Sequence, residues 1–332
     1  MYKKMKPIIV GSGSSGKAIA KSLAIIKILH PDFECHEPLF LRREQNILEV
    51  KMSKSDFNIL FIANPHGLHA DLILKGETAC FDMIFCEKPA CVSMAEVEKL
   101  RSVKTPVFLF HSYRQTWAIQ KLRALVESKV FGRLISIEGR YWQSSAAQRA
   151  LLTEKSNNWK NDVKLSGPHD VLLDLCSHWS DLVFFLAGKK AKNASGFISY
   201  ANSEYAHRDT HVHLNFEFED GLRSVGSISK TVHGATNHLE VYIIGTHSSA
   251  SWNFSSPDEI KFSQGSKTEI LRRDSNLMGS QQSPFHGVGW LEGYVEIIRQ
   301  GFLKLQGKEF VCPPTLGEGL DYLEKLLSIE NN

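Results

Sequence analysis

A short apolar run, Ile8-Ile9-Val10, ends on Gly11-Ser12-Gly13-Ser14-Ser15-Gly16, and a helix-period pattern begins at once over Ser14 to about His30, with Ala18, Ala20, Leu23 and Ile26 available for one face. Strand, glycine turn and helix in this order are the opening of a parallel sheet. The first glycine permits the tight turn, the second leaves room for an approaching group, and the third lets the helix pack closely on the strand. Backbone N–H groups at the start of such a helix attract phosphate. The stretch therefore points to dinucleotide binding through Gly11, Ser12, Gly13, Ser14, Ser15 and Gly16, the competing reading being a plain tight turn.

The following hundred residues keep the same texture. Leu39 to Leu41 is a second short strand, and Ile59 to Ala63, Met83 to Cys86 and Val107 to Phe110 are continuous apolar runs, as strands covered on both faces would be. Residues 1–110 are thus expected to form an α/β dinucleotide-binding domain, a doubly wound parallel sheet of the Rossmann type. Where an acid would receive the ribose of NAD, at the end of the second strand, the chain reads Arg42-Arg43-Glu44. Arginines suit a 2′-phosphate and favour NADP, while Glu44 leaves NAD open. The connection from Arg43 to the Ile59 strand is short for a parallel crossover, so this side of the sheet is expected to be simplified.

Beyond about residue 130 the runs alternate: RLISIEGRYW, NASGFISYA, THVHLNFEFEDGLRSVGSISKTV and HLEVYIIGTHSSASWNF. In the third, Val212, Leu214, Phe216 and Phe218 point one way and His211, His213, Asn215 and Glu217 the other, with Asp220-Gly221 as a hairpin turn. Residues 111–332 are expected to be an α+β substrate-binding and oligomerisation domain with a large, mostly antiparallel, open-faced sheet. Helices near 167–187, 289–304 and 316–328 would cover its apolar face.

Composition narrows the function classes. With 42% apolar and 23% charged residues and a net charge of +3, the chain is neither disordered nor basic enough to suggest a nucleic-acid partner. Its six cysteines have no metal-ligand spacing, which fits reduced thiols in cytoplasm. The first apolar run is too short for a signal peptide, and nothing approaches a membrane span. Sequons at Asn193 and Asn253 then read as chance matches.

Three further motifs carry chemistry. Asn64-Pro65-His66-Gly67-Leu68-His69 follows a buried strand, at the edge where open α/β sheets bind ligands; Asn64 and Pro65 would border the cofactor, and His69 either joins them or only orients the next helix. Glu87-Lys88-Pro89 ends the next strand, and proline biases Lys88 toward an extended backbone that aims its ammonium over the sheet edge. Taken alone, the tripeptide reads equally as a surface turn. In Asp170 to Asp181, Asp174, His178 and Asp181 fall at i, i+4 and i+7 of an otherwise apolar helix. Such a stripe is either a solvated face or a site lining in which a carboxylate orients a proton-shuttling histidine. A second ligand cluster is missing, so no metal is expected.

The ordered set GSGSSG, ANPHGLH, EKP and DLCSHWSD, followed by an antiparallel sheet, resembles the Gfo/Idh/MocA oxidoreductases, which include glucose-fructose oxidoreductase and inositol dehydrogenase. The resemblance implies an NAD(P)-dependent dehydrogenase or reductase acting on CH–OH groups of a sugar, sugar derivative or cyclic polyol. It assigns Lys88, Asp174 and His178 to catalysis, with Lys88 and His178 able to exchange proton-transfer roles, and places Glu87 and the glycine loop at the cofactor. A cleft between the two domains would bring the catalytic groups together. Cys176 stands where the family usually has glycine. Tyr113 and Arg114 fall where the family has substrate and junction residues; Trp159 and Asp181 are further substrate candidates, and Trp142 and Gln143 begin a segment that could cover the substrate. The polar sheet face bearing His211, His213 and Asn215 implies a homodimer or homotetramer, and His233 reads as another surface or subunit-contact residue. An alternative from another class is a catalytically silent nucleotide-binding regulator on the same fold.

Overall fold

The computed structural model describes residues 3–42, 45–151, 159–201, 208–273 and 290–329. By proximity of Cα atoms the chain divides into two units, Met1–Gln115 with Gly289–Leu320, and Thr116–Val288 with Asp321–Asn332.

The first unit opens with β1 (Met5–Val10), α1 (Ser14–Leu29), β2 (Leu39–Leu41), β3 (Phe57–Ile62), α2 (His69–Thr78), β4 (Met83–Cys86), α3 (Met94–Leu100) and β5 (Val107–Leu109). The strands form a parallel sheet in the order β2-β1-β3-β4-β5. From β2 the chain makes only a 3₁₀ turn at Ile47–Glu49, started by the Asn46 side chain accepting from Leu48 N at 3.1 Å, before it enters β3 on the other side of β1. Without a helix and a further strand in this connection, β2 is left at the edge. Strand order reverses between β1 and β3, and such a switch point opens a crevice beyond the carboxyl ends of the strands. The glycine turn and the Asn64 loop lie at those ends.

The second unit contains α4 (Trp117–Glu127), β6 (Leu134–Trp142), α5 (Ser145–Leu151), α6 (Val163–Ser166), α7 (Val171–Asp174), α8 (Cys176–Ala187), β7 (Asn193–Tyr200), β8 (Asp209–Glu217), β9 (Arg223–Ser229), β10 (His238–Gly245), β11 (Ser249–Asn253), β12 (Glu259–Gln264) and β13 (Lys267–Arg272). The sheet order is β13-β12-β11-β10-β6-β9-β8-β7, antiparallel throughout except for β6 beside β9. Val212, Leu214 and Phe216 are buried as the alternation requires, and Gly221 makes the hairpin turn at φ +81°. Helix α8 lies on this apolar face. Its Trp179 is buried over two strand glycines, where a Cβ on Gly226 would come within 2.4 Å of the indole nitrogen and one on Gly139 within 2.9 Å of the ring. Close approach of a large ring to the backbone requires glycine there.

Two helical expectations are corrected. The segment near 167–187 is not one helix: α7 begins at Val171 and the run is interrupted at Leu175, where the Ser177 hydroxyl donates to Asp174 O at 3.1 Å and competes with the regular ladder. The helix expected from 289 to 304 does not cover the antiparallel sheet. As α9 (Trp290–Leu305) it returns to the first unit, and its Tyr294, Ile297, Ile298 and Phe302 join one core with Ile9, Ile19, Phe61 and Phe85. Gly301 lets it seat on Phe85, since a Cβ would come within 2.4 Å of that ring. Residues 289–320 therefore belong with the parallel sheet, where the sequence suggests a single boundary at 110/111. The final helix, α10 (Leu316–Leu327), starts with a capping box in which Thr315 N donates to Glu318 at 2.8 Å and Glu318 N to Thr315 Oγ1 at 3.2 Å. Among the described residues, no helix is long and apolar enough to cross a membrane.

Candidate functional site

Each glycine of the first turn has its own reason. Gly11 sits at φ +108°, and a Cβ there would strike Ala63 O at 2.5 Å; on Gly16 it would strike Gly11 O at 1.9 Å. These two glycines allow α1 to start tightly against β1 and β3. A Cβ on Gly13 would meet nothing within 4 Å, and α1 has neither a side-chain cap at Gly13 nor an acid in its first turn. Open space in front of uncapped, positively polarised N–H groups suits a pyrophosphate. Ser12 and Ser14 are exposed beside it.

At the end of β3, Asn64 and Pro65 are partly exposed, and the buried Asn64 Oδ1 has no hydrogen-bond partner, as a group awaiting a ligand would. His69 has the scaffolding role. Fully buried, its ring reaches Pro89 O through Nδ1 at 2.7 Å and Asn64 O through Nε2 at 2.8 Å, so it ties two loops together. Burial, the largest influence, holds its pKa below the ordinary value.

Lys88 follows β4, precedes a cis peptide bond to Pro89 and is 9% exposed. The loop around it is fixed at both ends: beyond Pro89 by His69, and before it by Glu87, whose carboxylate accepts from the Tyr294 hydroxyl of α9. Ser15, in the first turn of α1, also hydrogen-bonds Tyr294. Burial first, and the Glu87 charge second, push the Tyr294 phenol well above its usual pKa, so it remains a donor. One phenol thus joins the glycine turn to the lysine loop.

Arg114 and Tyr113 are buried, and the Arg114 guanidinium is committed to Glu318 Oε1 at 2.9 Å. That pair anchors the start of α10. His111 beside them is buried, and its pKa is pushed well below the ordinary value by burial and then by the Arg114 and Lys88 charges. Arg42 is exposed at the end of β2, its N–H donating to Gln45 Oε1 at 2.7 Å. Arg43 and Glu44 lie outside the described residues.

In the second unit, Asp209 of β8 organises the helix that carries Asp174. Its carboxylate accepts from Leu172 N at 2.7 Å and from Asp170 N, capping α7 from another strand. Asp174 is nearly buried, and its Oδ2 receives Lys230 at 2.7 Å and Lys160 at 2.8 Å. Asp170 receives Lys230 and, at 3.1 Å, Arg149. His178 stays partly exposed one turn on, edge-to-face with Tyr141 at 6.0 Å. Asp181 is 1% exposed. Trp159 is partly exposed beside Lys160, whose ammonium lies 5.7 Å from its ring. Trp142 belongs to β6, where its Nε1 donates to Ser227, and Gln143 donates to Tyr141 and Asn237; residues 152–158 of the segment that follows lie outside the described residues. His233 lies in a turn, not in a strand. Among the described residues, no group of three or more His, Cys, Asp or Glu could hold a metal ion.

Residues 119–251, which include this whole constellation, match the family model of the GFO/IDH/MocA C-terminal domain. Over these residues the chain is similar to that family. The resemblance read from its motifs is thereby borne out. A levoglucosan dehydrogenase from Pseudarthrobacter phenanthrenivorans is 25% identical over 233 residues, 62% of this chain and 58% of that protein. Glucose-6-phosphate 3-dehydrogenase of Bacillus subtilis is 23% identical over 196 residues, 55% of this chain and 54% of that protein. The matches thus span little more than half the length of these curated relatives. Among solved structures, an oxidoreductase domain protein from Kribbella flavida superposes with a TM-score of 0.85 at 17% identity, covering 99% of this chain and 97% of that one. An inositol dehydrogenase homolog from Azotobacter vinelandii, complexed with NAD+, gives 0.81 at 17%, covering 99% and 95%. At these identities the superpositions establish the fold.

Within residues 119–251, two residues escaped sequence reasoning. Asp209 immediately precedes the alternating run that starts at Thr210, and no periodicity marks it. Lys230 had a signal: with Ser224, Gly226 and Ile228 it falls on the inward phase of the alternation, where lysine is out of place unless paired.

Proposed function

We propose that this protein is a nicotinamide-dependent oxidoreductase that passes a hydride between the cofactor and a CH–OH carbon of a sugar, sugar derivative or cyclic polyol. The observation that carries this reading is Lys88, held at the carboxyl edge of the parallel sheet by the Glu87–Tyr294 and His69–Pro89 hydrogen bonds, at the same edge as a glycine turn with open space at Gly13. The substrates named for its relatives, levoglucosan, glucose 6-phosphate and inositol, support the substrate class.

When bound, the cofactor supplies the hydride acceptor at its nicotinamide ring. The uncapped start of α1 and Gly13 hold the pyrophosphate, Asn64 and Pro65 border the ring side, and Arg42 reads a 2′-phosphate, which favours NADP over NAD. On the substrate, His178 takes the hydroxyl proton while Lys88 stabilises the developing alkoxide, where a preorganised charge lowers the barrier most. Asp174, four residues before His178, supports it as an anion. The polar sheet face of His211, His213 and Asn215 pairs two copies; a monomeric mass by light scattering at micromolar concentration would refute that pairing.

The test is a titration with NAD+ and NADP+ followed by a panel of sugars and inositols read at the absorbance of the reduced nicotinamide. Turnover of a polyol is expected, and Lys88→Ala and His178→Ala should each lose at least ~100-fold with cofactor affinity unchanged. Tight cofactor binding with no turnover of any polyol would replace the enzyme by a nucleotide-binding regulator.

A further inference from the structure

Lys230 has no exposed surface, yet it carries an ammonium. It follows β9 and is pinned by its backbone, N–H donating to Thr210 O at 3.2 Å and carbonyl accepting from Ala146 N at 3.0 Å, which places it where β8, β9, α5 and α7 meet. Its Nζ lies 2.7 Å from Asp174 Oδ2, contacts Asp170 Oδ1 and reaches Asp170 O at 3.3 Å. Arg149 and Lys160 close the cluster from outside, so three cations hold two carboxylates.

A buried ion cluster is costly, and well-packed apolar side chains of similar volume often serve stability as well or better. Packing alone does not call for lysine here. A carboxylate that must remain charged to support a proton-accepting histidine does. On the reading of the protein as an oxidoreductase, we propose that Lys230 is a positioning residue for the reaction, wedged between Asp170 and Asp174 so that the Asp174 carboxylate is fixed in place and in charge. With two lysines on one oxygen, Asp174 does not take up the proton that His178 accepts, and the proton stays on the imidazole. The two carboxylates likewise outweigh the desolvation of Lys230 and raise the pKa of its ammonium. Other charged groups around the pair are Arg149 of α5, Lys160, His169 just before α7, His178 of α8 and Asp209 of β8.

The decisive variant is Lys230→Met combined with Asp170→Asn, which removes one cation and one anion, with Asp170→Asn alone as reference and Lys230→Met alone as the variant most prone to unfold. Carboxyl NMR of protein labelled with ¹³C-aspartate, with Asp174 assigned through Asp174→Asn, reads protonation without any substrate. The Asp174 titration is expected to move up by about one pH unit in the double variant relative to Asp170→Asn, as loss of a neighbouring cation dictates. The kcat on a polyol should fall by roughly 10-fold, with its acid limb moved the same way and NAD(P)H affinity unchanged. A folded double variant with an unmoved Asp174 titration, or with the kcat of the reference, overturns the proposal. If the wild type turns over no polyol, the oxidoreductase reading fails, and the carboxyl titration still decides what Lys230 does to Asp174.

Discussion

The hydroxyl of Tyr294 donates to the carboxylate of Glu87, 207 residues earlier in the chain, and through this bond α9 holds the strand end that presents Lys88. Tyr294→Phe keeps the ring, which stacks on Phe110 at 4.4 Å, and deletes the hydroxyl, with its bonds to Glu87 and Ser15. The buried Glu87 then loses a hydrogen bond to a charged group, a loss of about 1.5–3 kcal/mol. Thermal or urea unfolding should show that loss, and turnover should fall because the Lys88 loop is tethered at one end only. An unchanged midpoint together with unchanged kcat would show that the bond does not hold the loop.

Gly13 and Gly16 make opposite predictions. Gly13→Val places its side chain in open space, so the melting temperature should hold while nicotinamide cofactor binding is abolished. Gly16→Ala drives its methyl group into Gly11 O, so it should destabilise the fold itself. Fluorescence titration and a melting curve on each separate the two. Wild-type cofactor affinity in Gly13→Val would remove the pyrophosphate from this turn.

The legible features of this chain were those whose causes are local. The glycine turn, the buried strands that end in Asn64 and Glu87, and the alternation of β8 each depend on residues within one turn or one pleat of each other. Tyr294–Glu87 and Lys230–Asp170 join residues 207 and 60 apart, and neither partner's surroundings announce the other. The break at Leu175 was invisible for a related reason: the apolar period runs through it unchanged, and the Ser177 hydroxyl that competes for a backbone carbonyl has no effect on periodicity. A helix over 289–304 is legible in the sequence, but a helical pattern does not say which sheet the helix covers. Its partner was set by Gly301 and Phe85, a complementarity visible only in three dimensions.

Arg42 stands exposed at the end of an edge strand. Arg42→Ala should weaken NADP binding by roughly 1.5–3 kcal/mol, the contribution of a charged hydrogen bond, and leave NAD nearly unaffected. Equal losses for the two cofactors, measured by titration, would show that the arginine does not read the phosphate.

Buried histidines set the acid limit of the fold. His111 and His69 both have pKa values pushed below the ordinary value, with burial the main cause and the charges of Arg114 and Lys88 adding to it at His111. The unfolded chain then binds protons first: below about pH 6.5 each histidine is charged when unfolded and still neutral when folded. Stability must rise with pH through this window and fall as pH drops through it, by up to about 1.4 kcal/mol per pH unit for each histidine until its folded pKa is reached. His111→Gln removes one of these protons from the balance. Its unfolding free energy, measured between pH 5 and 8, should depend on pH less steeply than that of the wild type, whatever the absolute stability of the variant. Parallel curves would mean that His111 is protonated in the folded protein, and that the charges of Arg114 and Lys88 are screened from it.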